Sequence, residues 1–228
     1  MKKITGDGKW SVYLWSALIL FFTFWLEFIS LFTIEPLIFG IPLNEYSNDT
    51  WGAHWLITTV LWLTVAFLLV RYTKHNYGFP AKQEINERLE PKDWLILVVG
   101  MVVSKVITYI DWGTLKIIGE FQIKADVFKF ASQYIYYFAE VMIVCLIVIY
   151  GQKAFETRSG ERSTIPYGGI VLALTWGGGI HFVSNFQGIK LWNGISAMIS
   201  AFVFGVCYLF MKRRKTMFFL FVAIAFLL

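Results

Sequence analysis

The chain has 228 residues, of which 57% are hydrophobic and 19% aromatic, and its mean hydropathy is +0.62. A soluble domain is about 45–50% apolar, so a water-soluble fold is excluded, and the length suits one domain. The net charge of +5 is carried in loops between apolar runs, where it reports orientation and not a nucleic-acid partner.

An apolar run of about 20 residues can cross the hydrocarbon core. The first run follows MKKITGDGKW and covers 11–33. It lacks the short apolar core and small-residue cleavage site of a signal peptide, so it is expected to stay as a span. Glu27 lies inside it. The second run, 54–72, has His54 at its edge, and the third, 94–111, contains Lys105. The segment 112–131 alternates charges with Phe and is expected to lie along the outer interface. The fourth run, 132–151, holds Glu140 and Cys145; the fifth is 168–187 and the sixth 192–211. A last run at 216–228 is short for a full crossing. The two cysteines, Cys145 and Cys207, sit in apolar runs and read as small buried hydrophobes. The expected fold is an all-α polytopic transmembrane helix bundle of six to seven spans, a single integral membrane domain over 1–228.

Lys and Arg set the orientation. Lys2, Lys3 and Lys9, then Arg71, Lys74, Lys82, Arg88 and Lys92, then Lys153, Arg158 and Arg162, then Lys212 to Lys215 fall on one side. The other side has only Lys116, Lys124, Lys129 and Lys190. By the positive-inside rule the N-terminus is cytoplasmic.

Glu27, Lys105, Glu140 and His181 lie well inside their spans. Each is roughly 9–12 Å below the outer boundary at 1.5 Å per residue. Ionisable groups at that depth face protein or water and mark function by default. A structural reading stands beside it, in which Lys105 pairs with Glu27 or Glu140 and His181 bridges helices. In the fifth span Gly169, Ala173, Gly177, His181 and Asn185 recur every four residues along one helix face. Ala197, Ala201 and Gly205 form a matching stripe in the sixth, so the two are expected to pack closely and to hold His181 and Asn185 rigidly. Attack of water on an amide needs a base and an oxyanion partner. Glu140 suits the base, His181 a metal ligand, acid or donor, and Asn185 an amide donor. A divalent metal such as zinc would want a third protein ligand, and none is evident among the remaining histidines, His54 and His75.

The order of these residues resembles the CPBP family of intramembrane proteases (CAAX prenyl endopeptidases and bacteriocin-processing enzymes, also called the Abi family). The likeness covers about 132–220, from YIYYFAEVMIVCLIVIYGQKAFE through LALTWGGGIHF to FVFGVCYLFMKRRK. In the family's EExxxR motif Glu140 matches the second glutamate, with Ala139 at the first and Val144 at the arginine. In FxxxH, His181 matches the histidine and Gly177 stands at the phenylalanine. HFVSN has the family's HxxxN spacing, but in the place of the middle motif, and no histidine follows it. The resemblance implies a diverged member with a glutamate–histidine site at Glu140 and His181; spacing adds Asn185 as a catalytic candidate, and shared depth adds Glu27 and Lys105 around them. The resemblance also implies peptide or prenylated-peptide substrates amid membrane lipids, in a bacterial plasma membrane. The alternative is a non-catalytic protein of the same fold that binds a peptide or partner, as in bacteriocin immunity. A small transporter or channel is a third reading, which the lack of an internal repeat disfavours.

Overall fold

The computed structural model describes residues 9–79, 87–124, 126–181 and 191–228. They are mostly helical, with no strand among them. Helix α1 runs Trp10–Phe39 with a π-helical turn at Ser30–Ile34. Helix α2 is Asn48–Tyr77 and α3 is Pro91–Trp112. A short α4, Lys116–Lys124, precedes the long α5, Val127–Ser159. Helix α6 begins at Tyr167–Leu172 and continues as the π-helical Ala173–His181. Helices α7, Leu191–Phe210, and α8, Lys215–Leu227, complete the bundle.

Among the described residues five helices are long and apolar enough to cross a membrane: α1, α2, α3 with its α4 continuation, α5 and α7. This is a membrane protein. The fifth expected span, 168–187, is helical over its described part, which ends at His181; Asn185 lies outside the described residues.

Local chemistry fixes the helix starts earlier than hydropathy does. Ser47 caps α2 by accepting from the Thr50 amide at 3.2 Å, which sets His54 a turn and a half inside the helix. Asp126 caps α5 by accepting from the Lys129 amide at 2.7 Å, and such caps satisfy amides that a helix cannot. Pro91 and the reciprocal Glu90–Asp93 capping box open α3. Gly113 ends α3 in a left-handed conformation, φ 66°, which glycine alone adopts freely. The short α4 follows and packs against α5.

Helix α5 is the central post. Ala139, Ile143, Ile147, Val148 and Tyr150 are fully or almost fully buried along it, and α1, α2, α6 and α8 pack around it. The small-residue stripes of α6 and α7 meet as their spacing predicts. A Cβ on Gly205 would stand 2.4 Å from the Gly169 Cα, and one on Gly177 would stand 2.9 Å from the Met198 side chain. Such contact lets backbones approach where lipid offers no hydrophobic drive between helices. Cys145 and Cys207 are free and buried, as expected.

At the end of the bundle where α5 and α7 terminate, Arg213 pairs with Glu156 and donates to the Ser163 carbonyl at 2.8 Å. Lys212 reaches Asp93 at 3.0 Å. Both cations have positive φ, 53° and 63°, a strained conformation for residues with side chains. Their ion pairs offset that strain in the tight turn between α7 and α8.

Candidate functional site

A cavity of about 850 Å³ lies between the helices. Its wall includes Glu27 from α1, Glu140 and Tyr136 from α5, Trp176 and His181 from α6, and Lys116 from α4. Three of the four ionisable groups counted to one depth in the sequence therefore share one chamber.

Trp176 organises two of them. Its indole Nε1–H donates to Glu140 Oε1 at 2.8 Å, and its ring meets the His181 imidazole edge-on, with centroids 4.5 Å apart. Trp176 and His181 are five residues apart, so the i→i+5 spacing of the π-helical segment brings them onto the same face. Such segments recur at functional sites. Ala139 and Val144, at the two positions where the family motif differs, are buried in the core.

Glu27 belongs to a second group that reaches the same chamber. Its Oε2 accepts from the Tyr136 hydroxyl at 2.9 Å, and its Oε1 lies 3.5 Å from His54 Nε2. On the other side of that ring, His54 Nδ1 is 2.8 Å from Glu35 Oε1, which also accepts from Ser30 at 2.7 Å. His54 and Glu35 are both fully or almost fully buried. His54 thus bridges two carboxylates, one at each ring nitrogen. In the adjoining loop, burial and then the Glu35 carboxylate push the Tyr46 phenol above its ordinary pKa.

Lys105 does not join them. Its ammonium donates to the carbonyls of Ile224 and Ala225 at 2.6 and 3.2 Å, and it faces a separate groove beside Leu228. The expected pairing with Glu27 or Glu140 is replaced by a cap on α8. Tyr134 adds a bond to the Leu227 carbonyl at 3.2 Å, and the Lys116 amide one to Leu228 at 3.2 Å. The last carbonyls of a helix have no intrahelical partner. These donors supply one where water would be scarce.

Lys116, and not Lys105, is the cavity's cation. The segment 112–131 is not a flat interfacial strip: Lys116 and Glu120 of α4 turn inward and are buried. Glu120 accepts from the Tyr137 hydroxyl at 2.7 Å, and Lys116 Nζ sits 4.0 Å from the Tyr137 ring centroid and 3.9 Å from that of Phe226. The one available signal was the i, i+4 spacing of Lys116 and Glu120 on a helix that starts after Gly113.

The donor set does not suit a divalent metal. Among the described residues no three of His, Cys, Asp and Glu are arranged to hold one, and the Lys116 ammonium lines the same chamber as Glu140 and His181. What the arrangement does offer is a carboxylate held by an indole, an imidazole beside it and a cation, in a cavity that also carries aromatic side chains. Searches against protein-family models, curated proteins and solved structures find no match to this chain.

Proposed function

We propose that the chain is an intramembrane hydrolase of the glutamate–histidine kind, a diverged relative of the CPBP proteases, acting on peptide or prenylated-peptide substrates. The observation that carries this reading is the shared cavity: Glu140 and His181 come from different helices, line one chamber and both contact Trp176.

Glu140 acts as general base on a water in the cavity. The water oxygen adds to the scissile carbonyl carbon while its proton passes to the carboxylate, and the carbonyl electrons move to oxygen. His181 and the nearby cation favour that oxyanion, since fixed charges in an enclosed site act strongly on developing charge. Collapse breaks the C–N bond, and the proton held by Glu140 passes to the leaving nitrogen. Trp176 keeps the carboxylate in place throughout. No metal enters the sequence of steps.

Six to seven crossings follow from the apolar runs, a cytoplasmic N-terminus from the distribution of Lys and Arg, and a bacterial membrane from the resemblance. The second reading is a non-catalytic protein that binds a peptide, as in bacteriocin immunity. Val144, buried in the core at the motif arginine's position, favours it.

The test uses the purified full-length chain in liposomes with a library of membrane-anchored peptides, and fragments are read by mass spectrometry. Wild type yields fragments; Glu140→Gln and His181→Ala yield few or none. Equal fragments from all three sink the catalytic reading, and tight binding without cleavage by wild type favours the second.

A further inference from the structure

Each carboxylate on the cavity wall has a donor. Glu27 takes the Tyr136 hydroxyl, Glu140 the Trp176 indole, and Asp111 the Trp192 indole at 2.5 Å. Lys116 differs. It is 8% exposed, and its ammonium carries three donors. Among the described residues no oxygen or nitrogen acceptor lies within hydrogen-bond distance of Nζ; its near neighbours are the ring faces of Tyr137 and Phe226. Ring faces attract a cation but leave its N–H groups without acceptors, and a buried charge so placed is costly. Glu120, one turn along α4, is engaged by Tyr137. Glu140, Glu120 and Asp111 act on the ammonium from beyond hydrogen-bond distance, so what Lys116 lacks is an acceptor in contact with its N–H groups.

The lining also carries the aromatic side chains Phe24, Phe28, Trp62 and Phe204, with Glu27 and several hydroxyl groups among them. Trp112 ends α3 and Trp192 lies at the start of α7, and both line the chamber. Tryptophans at helix ends sit at the level of lipid headgroups.

We propose that the cavity binds an anionic amphiphile of the membrane, a fatty acid or an acidic phospholipid. Its carboxylate or phosphate pairs with Lys116, and its acyl chain lies along the aromatic side chains. The bilayer supplies such molecules at high local concentration, and they bring an acceptor for Lys116 and an acyl chain for the aromatic side chains. This site goes beyond the hydrolytic reading and does not depend on it.

The cavity carries its own reporters, Trp62, Trp112, Trp176 and Trp192. Purified full-length protein in a non-ionic detergent is titrated with dibromostearate, whose bromines quench tryptophan, and with its methyl ester, which has the same tail and no charge. The acid is expected to quench saturably and to bind about tenfold or more tighter than the ester, as one charge-assisted hydrogen bond gives. Lys116→Gln removes that preference and Lys116→Arg keeps it. Glu140→Gln, which abolishes hydrolysis, leaves saturable binding of the acid in place. Acid and ester of equal affinity in wild type overturn the proposal whether or not the variants fold. So does a preference that survives Lys116→Gln, or displacement of the acid by equimolar acetate. Dibrominated phosphatidylglycerol in place of the acid separates the phospholipid from the fatty acid, and saturable quenching by either supports the site.

Discussion

Trp176 donates its indole N–H to Glu140 Oε1 at 2.8 Å, from a neighbouring helix and with both groups buried. A hydrogen bond to a charged acceptor contributes about 1.5–3 kcal/mol. Its loss would let the carboxylate turn away from the chamber.

Trp176→Phe keeps a ring against His181 and removes only the donor. On the hydrolytic reading, turnover of a cleaved peptide falls about tenfold to hundredfold, the rate equivalent of that bond. Glu140→Gln with Trp176→Phe is no slower than Glu140→Gln alone, because the indole acts through the carboxylate. Additive losses in the double variant would show that Trp176 acts elsewhere.

Lys105 tests a structural claim. Its bonds to Ile224 and Ala225 hold the end of α8. Lys105→Met keeps the aliphatic stem and loses those donors, so it should lower the unfolding free energy by about 1–3 kcal/mol, read from denaturant unfolding in mixed micelles. Amphiphile quenching is unchanged, since Lys105 is not on that cavity's wall. A Lys105 variant as stable as wild type would remove the capping role.

Close approach of α6 and α7 makes different predictions for two glycines. Alanine gains about 1 kcal/mol over glycine in a helix, but a Cβ on Gly205 meets the Gly169 backbone at 2.4 and 2.6 Å, and backbone cannot step aside. The overpacking cost of about 1–3 kcal/mol or more outweighs the propensity gain, so Gly205→Ala destabilises. Gly178 has only the Ala173 carbonyl oxygen, at 3.4 Å, and Gly178→Ala stays within about 0.5 kcal/mol of wild type. Melting curves of the two variants side by side decide it.

How much of this was legible beforehand varied with the range of the interaction. Hydropathy marked the spanning helices because burial in lipid is a property of each segment alone. Counting residues from span ends brought Glu27, Glu140 and His181 to one depth, since helical rise is fixed, and all three line one cavity. His54 was set at an edge because hydropathy does not see the polar first turns that Ser47 caps. A charged segment after a span reads as interface, and the inward placement of Lys116 depends on how α4 packs against α5. Lys105 has a plain physical reason, the end of α8, but no pattern in its own span announces which helix end it caps. Asn185 lies outside the described residues, so its part in the site rests on spacing.

Orientation is checked from outside the cell. The native thiols, Cys145 and Cys207, are buried, so a single added cysteine reports its own side. Asn44→Cys, between α1 and α2, reacts with a membrane-impermeant maleimide on intact cells. Ser159→Cys, at the end of α5, reacts only after lysis. The reverse pattern would invert the topology and overturn the cytoplasmic N-terminus.

The central claim is that Glu140 activates water against a peptide bond in the cavity. Cleavage carried out in ¹⁸O-labelled water measures this most directly. The wild-type chain is predicted to place one labelled oxygen in the new carboxyl group of each N-terminal fragment, and Glu140→Gln to give no labelled fragment above background. Labelled fragments from Glu140→Gln at the wild-type rate would contradict it.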